Sequence, residues 1–377
     1  MTPVPLGIYV HWPYCSRVCP YCDFNVVRER GREREKAALV DAILADLRAH
    51  APLIGPRPLR SIFLGGGTPS LMAPEHVCAI IETATALWPA AADIEITLEA
   101  NPTDAETGRF AAFAAAGVNR LSLGLQSLND EALRRLGRNH DSTSGRRAAR
   151  AAAEIFPRMS IDLIYALPGQ NPADWASELA DAIALGCEHV SPYQLTIEPG
   201  TAFDRAVRRK TLKPPEEEVA ADLYEVTQSV LRDHGFDAYE VSNHARGPSA
   251  RSAHNLLYWR GQDYIGVGPG AHGRLTIASE RWATLAPAAV ADYIARAARP
   301  DGAAERERLS SRERATERLL MGLRTAEGVA LSELAPLGVT RDRVGDLGAF
   351  AQLEGERLRI TDKGRPVLDR IIAELAT

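Results

Sequence analysis

No apolar run in the sequence approaches the ~20 residues that a helix needs to cross a bilayer, and its first residues lack the basic-then-apolar layout of a secretory leader. Both absences lead us to expect a cytoplasmic protein. Charge of one sign is not in excess either. With 44 Lys and Arg against 49 Asp and Glu, the net charge is -5, so no global positive field marks a nucleic-acid binder and no nucleic-acid partner is expected. The basic stretch Arg205-Ala-Val-Arg-Arg-Lys210 reads as a solvated face, and no fixed-period repeat is present. Cysteine is scarce and odd in number: of five, Cys15, Cys19 and Cys22 fall within eight positions. In a reducing compartment that clustering points to metal, not to disulfides.

What is present is an ordinary globular composition, 45% hydrophobic and 25% charged, over 377 residues. That length favours one large domain with a smaller one. Up to about residue 200, β-rich runs at Gly7–Pro13, Arg60–Leu64, Asp93–Glu99, Arg120–Gln126, Met159–Leu167 and Glu188–Ile197 alternate with helical patterns at Arg34–Ala51, Pro74–Trp88, Asp104–Ala116, Thr143–Ile155 and Pro172–Leu185. Leu39, Ile43 and Leu47 mark one helix face. Right-handed crossovers wind such βα units into a parallel sheet with helices outside. The expected fold is therefore α/β, a partial, TIM-like (β/α) barrel of six units over residues 1–200. An extension over 201–299 and a smaller, mainly helical, winged-helix-like domain over 300–377 follow. Within that last part, Pro300–Arg308 reads as a charged linker, Ser311–Arg324 as a helix and Arg357–Ile360 as a strand.

Chemistry in parallel α/β folds collects at the C-terminal ends of the strands. There the sequence places Gly65-Gly-Gly-Thr-Pro69, Glu99-Ala-Asn-Pro102, Gln126-Ser127 and Asp162-Leu-Ile-Tyr-Ala-Leu-Pro168. Cys15-Ser-Arg-Val-Cys19-Pro-Tyr-Cys22 follows the first strand, so three thiolates can converge from one loop. Three soft ligands on a four-iron cubane leave one iron open. A structural zinc site closes with four ligands, and neither Cys78 nor Cys187 sits in a second CxxC or CxxH element. Both read as buried small hydrophobes.

The CxxxCxxC spacing, with Tyr21 before the third cysteine, resembles the signature of the radical S-adenosylmethionine (SAM) superfamily. That resemblance implies a 4Fe-4S cluster on Cys15, Cys19 and Cys22, with SAM chelated to the open iron and cleaved by an electron to methionine and a 5′-deoxyadenosyl radical. Tyr9-Val-His-Trp-Pro-Tyr-Cys15, Gly124-Leu-Gln-Ser127 and Asp162-Leu-Ile-Tyr-Ala-Leu-Pro-Gly-Gln170 are similar to the coproporphyrinogen-dehydrogenase-like branch. The resemblance covers nearly the whole chain. It implies SAM contacts from Tyr9, Tyr21, Gly66, Gly67, Thr68, Glu99, Gln126, Arg138 and Asp162.

Two functions within that branch compete: oxygen-independent coproporphyrinogen III oxidase, which decarboxylates propionates by radical chemistry, and the HemW-type haem chaperone, a carrier with haem as cargo. The oxidase group has a further cysteine two positions after the third ligand, where this chain has Phe24, and a long segment before the cluster, where fourteen residues precede Cys15. His254-Asn-Leu-Leu-Tyr258-Trp259 is similar to the HNxxYW haem signature of the chaperones. That favours the chaperone, with His254 as the axial ligand, Tyr258 and Trp259 beside the porphyrin, and His272, His11 and His244 as alternative candidates for the ligand. The resemblance also implies haem-accepting clients, some of them membrane-bound and met at the inner membrane face, and a homodimer.

Overall fold

The computed structural model describes residues 4–376. Six strands, β1 (Leu6–Trp12), β2 (Leu59–Gly66), β3 (Ala90–Ala100), β4 (Arg120–Gln126), β5 (Arg158–Tyr165) and β6 (His189–Gln194), lie in sequence order and pair in parallel. Helices such as Glu33–Ile54, Pro74–Leu87, Ser142–Ile155 and Pro172–Ile183 connect them. Both faces of the central strands are covered, which is why β1 reads as an almost unbroken apolar run, with Leu6, Ile8, Val10 and Trp12 all fully buried.

The sheet continues at both edges. Beyond β6 lie β8 (Asn243–Ala245) and then β7 (Asp237–Glu240), both antiparallel. Beside β1 lies a seventh parallel strand, β9 (Asp263–Val267). The antiparallel strands β10 (His272–Ile277), β11 (Glu280–Leu285) and β12 (Glu305–Arg308) follow it. The twelve strands form an open, TIM-like partial barrel, as expected of the fold class, and residues 201–299 add strands at both of its edges.

Two local expectations fail. Glu305–Arg308 is the edge strand of the main sheet and not part of a linker. Its Glu-Arg-Glu-Arg text has no apolar residue to signal a strand, and charge is what an exposed edge carries to prevent pairing with other chains. Asp104–Ala116 is two helices, Asp104–Thr107 and Phe110–Ala115, not one.

The C-terminal part has its own apolar core, built on Leu319, Val329, Leu334, Leu358 and Leu375. Helix Ser311–Gly322 opens with a capping box in which Ser310 and Glu313 satisfy each other's backbone N–H groups. Further short helices and a three-stranded antiparallel sheet precede the terminal helix Leu368–Ala376. Ion pairs join this part to the barrel: Arg324 Nη2 lies 2.6 Å from Glu240, and Arg260 Nη2 lies 2.5 Å from Glu327. No helix of the described residues is long and apolar enough to cross a membrane.

Candidate functional site: a cysteine-lined cavity at the C-terminal rim

The loop after β1 carries the three clustered cysteines across the C-terminal mouth of the barrel. Cys15, Cys19 and Cys22 line one wall of a cavity of about 340 Å³. The loop is held from below by backbone: Gly67 N–H donates to Trp12 O (2.7 Å) and Thr68 N–H to Tyr14 O (2.9 Å). It is held from the side by Asn25, whose amide donates to Pro269 O and Ala288 O at 2.9 Å each. Gly-Pro-Gly after β9 is thereby explained, since a Cβ on Gly268 would lie 2.2 Å from His11 O and one on Gly270 2.7 Å from the Asn25 amide.

Polar side chains reach the sulfurs. Thr68 Oγ1 donates to Cys15 Sγ and Arg138 Nη1 to Cys19 Sγ, each at 3.5 Å. Burial pushes the Cys15 thiol up to about 11 and raises that of Cys22, so both are neutral thiols until a metal draws off their protons. All three cysteines are free. Among the described residues no three His, Cys, Asp or Glu side chains are placed to hold a single ion. A cubane does not ask for that, because each thiolate binds a different iron.

The same cavity is lined by Gly66, Gly67 and Thr68 at the end of β2, Glu99 on β3, Gln126 on β4, and Asp162 on β5, together with Arg138 and Tyr21. A bulge between Leu123 and Gln126, with Gln126 at φ +66°, re-aims that amide. Glu99 Oε2 accepts from Gly66 N–H (3.0 Å), and Asp162 Oδ2 accepts from Ser122 Oγ (2.8 Å). Burial first, and then the charge of Asp162, push the Glu99 carboxyl up to about 8; burial also raises Asp162. Two buried carboxyls with raised pKa, beside a guanidinium and an amide, fit a zwitterionic ligand that brings its own ammonium and carboxylate. The donor set thus fits a three-thiolate cluster with an amino-acid-bearing cofactor on its open side.

Not every expected contact gathers here. Tyr9 lies outside the cavity: its hydroxyl is 2.9 Å from His11 Nδ1, and its ring stacks on Phe63 at 6.2 Å. Because His11 Nε2 donates to Asn25 O (2.9 Å), Nδ1 is the acceptor and Tyr9 the donor. The two cavity-lining glycines are also required by the packing. A Cβ on Gly66 (φ +105°) would lie 2.6 Å from the His11 ring, and one on Gly67 2.7 Å from Trp12 O, so the close approach that requires glycine is to the chain itself.

Sequence reading missed Asn101, Tyr193 and Gln194, which line the cavity. Asn101 Nδ2 donates to Thr68 Oγ1 (3.1 Å) and its carbonyl accepts from Arg138, linking the Cys15 and Cys19 partners. Its place in Glu99-Ala-Asn-Pro102 at a strand end was the only available signal.

The haem-type motif is elsewhere. Helix Ala253–Trp259 seals the N-terminal end of the barrel: Glu95, four residues before Glu99 on β3 and so on the same face, accepts from Ala253 N–H and His254 N–H (2.9 Å each). His254 is fully buried. Its Nδ1 is 2.8 Å from Ser61 Oγ and its Nε2 2.5 Å from the Tyr258 hydroxyl, while its ring stacks on Phe63 at 5.1 Å. Burial holds its pKa down to about 3. With both nitrogens engaged, His254 offers no lone pair to iron in this arrangement, contrary to the axial role expected of it. His244 is buried too, with Nε2 3.1 Å from Gln228 Oε1, whereas His272 is exposed at the start of β10. Cys187 is buried as expected, but Cys78 is only half-buried, on a helix whose apolar face is formed by Val77, Ile80, Ile81 and Ala84.

Comparisons with known proteins bear on this cavity. The radical SAM superfamily model matches residues 9–182. Radical S-adenosyl methionine domain-containing protein 1, mitochondrial, of Bos taurus is 39% identical over 98% of this chain and 87% of its own. Heme chaperone HemW of Mycobacterium tuberculosis is 35% identical over 98% of this chain and 95% of its own. HemW of Escherichia coli K12 is 41% identical over 74% and 72%. This chain belongs to the HemW-type branch of the radical SAM superfamily. Among solved structures, coproporphyrinogen III oxidase (HemN) from Escherichia coli superposes with a TM-score of 0.81 over 100% of this chain and 91% of the oxidase, at 21% identity, a likeness of fold. As a radical SAM protein the HemW-type chain has a 4Fe-4S cluster and SAM as its cofactors.

A pH dependence follows for SAM. Glu99 at about 8 is largely protonated at pH 7 in the ligand-free protein, and an incoming cationic ligand favours its carboxylate. Binding near neutral pH should release a proton, and affinity should fall by up to about tenfold per unit as pH drops below 8. Calorimetry in buffers of different protonation heat checks this, and Glu99→Gln should reduce the release. In the ligand-free chain the sign is opposite. The raised carboxyl binds its proton more tightly when folded, so its contribution to stability declines as pH rises from 4.5 towards about 8.

Proposed function

We propose that this chain is a haem chaperone, which binds haem and hands it to haem-requiring proteins while holding a cluster and SAM at the C-terminal rim of its barrel. The observation that carries this is the match to HemW over almost the full length of both chains. The likeness to the oxidase, at 21% identity, is one of fold. Phe24, on the wall of the cysteine cavity and 64% exposed, stands where the oxidase group has its further cysteine, which adds to the same side.

In this reading Cys15, Cys19 and Cys22 ligate the cluster. Gly66, Gly67, Thr68, Glu99, Gln126, Arg138, Asp162 and Tyr21 surround SAM, and Tyr9 acts through His11 on the wall behind Gly66. The cluster supplies an electron and SAM a sulfonium able to accept it. Arg138 and Thr68 direct positive charge and a hydroxyl proton at the sulfurs, and Glu99 and Asp162 would accept from the SAM amino group. Tyr258 and Trp259 serve haem from the far end of the barrel, with His254 positioning Tyr258. The reading extends to membrane-bound clients met at the inner membrane face and to a homodimer. Vesicle co-sedimentation and light scattering test those two points.

The deciding experiment is anaerobic reconstitution followed by parallel haem titration and coproporphyrinogen decarboxylation assays. Saturable haem binding without vinyl product or carbon dioxide is expected. Robust decarboxylation would overturn the assignment in favour of the oxidase.

A further inference from the structure

The far end of the barrel holds a second cavity, a cleft of about 640 Å³ between the C-terminal end of helix Ala253–Trp259, strands β9 to β11 and helix Ser311–Gly322. Its walls are rich in arginine, but nearly all of that charge is spent. Arg260 pairs with Glu327 (2.5 Å), Arg274 with Glu317 (2.7 Å), Arg318 with Glu333 (2.7 Å), and Arg281 with Asp263. Arg314 differs: it lines the cleft, is exposed, and has no ion-pair partner among the described residues.

Arg314, Arg318 and Met321 stand at i, i+4 and i+7 on one helix, so they share the face that lines the cleft. The Cα atoms of Arg314 and Met321 are seven residues apart, an offset of about 10 Å along the helix axis. Met321 is 40% exposed, and the lining includes neither histidine nor cysteine, so its sulfur is the soft donor there. Tyr258 and Tyr264, in edge contact at 4.2 Å, and Trp259 add aromatic surface.

We propose that this cleft is the docking site for a planar, dianionic tetrapyrrole, with a propionate on Arg314 and the iron facing Met321. The inference rests on the haem-chaperone reading and assigns its cargo to a place. A flat apolar ring with carboxylates on one edge matches aromatic surface, one uncompensated cation, and a soft donor set back from that cation on the same face. The site also removes the difficulty posed by His254, because Tyr258 and Trp259 reach the cleft while His254 stays closed in the barrel.

The test is an absorbance titration of the full-length, cluster-reconstituted chain with haem and with haem dimethyl ester, comparing wild type, Arg314→Glu and Met321→Leu. Arg314→Glu should weaken haem binding about tenfold, the worth of one charge-assisted contact, and leave ester binding unchanged. Met321→Leu conserves volume and should alter the visible bands of dithionite-reduced haem, because leucine cannot ligate iron. If wild type binds haem and both variants titrate with its affinity and spectrum, the site is wrong and the chaperone reading stands. If wild type fails to bind haem, both fall.

Discussion

Replacing Cys15, Cys19 or Cys22 singly with alanine is expected to abolish the cluster, leaving a reconstituted protein without its visible absorbance and with iron near zero instead of about four per chain. The effect is all or none because the loop supplies three thiols and no other cysteine lines the cavity. Cys187 is buried in the apolar core, and Cys78 lies on a connecting helix with its sulfur 3.5 Å from Glu82. Alanine at either should leave iron content and spectrum as in wild type, and cluster loss from either change would overturn the ligand assignment. Iron analysis and absorbance after anaerobic reconstitution measure both arms.

Gly67→Val should be nearly as damaging, and for a reason that only the packing reveals. A Cβ there meets Trp12 O at 2.7 Å, Pro13 C at 2.8 Å and Tyr14 O at 2.8 Å, all backbone atoms that cannot rotate away. To admit valine, the strand end must part from the start of the cysteine loop, breaking the Gly67 N–H to Trp12 O bond. A cost of about 1–3 kcal/mol in stability is expected. SAM binding should be lost and cluster retention reduced together, whereas a ligand-contact role alone would spare the cluster. Gly66→Val adds a left-handed strain at φ +105° to a clash with His11. Denaturant unfolding, calorimetry with SAM and iron content measured on the same samples separate the two readings. Wild-type iron with lost SAM binding would return the glycines to the ligand-contact role alone.

Much of the architecture was legible because periodicity is a local property. Arg120–Gln126 is the same strand in both readings, and Arg357–Ile360 likewise. Residues expected at strand ends do meet in one cavity, since parallel strands with right-handed crossovers bring all their C-terminal ends to one rim. The charged strand Glu305–Arg308 was illegible because its only instruction is the neighbouring edge of Glu280–Leu285. Asn101 stood in a strand-end segment without a role of its own, because its bridge from Thr68 to Arg138 spans three separate segments.

The sequence by itself determined the triad of thiols on one loop, the strand ends that surround it, and the branch to which the chain belongs, all carried by short spacings. Tertiary structure alone decided that the His254 motif and the cysteine cavity occupy opposite ends of the barrel. It also decided that Tyr9 faces His11 and not the cavity, and that His254 is closed off. The physical reason is non-local pairing. Gly7, Ser61 and Glu95 come level only when β1, β2 and β3 align in register, and that alignment makes the floor on which His254 is buried. A motif states which side chains travel together; the pairing of distant strands sets whether they face a ligand or one another.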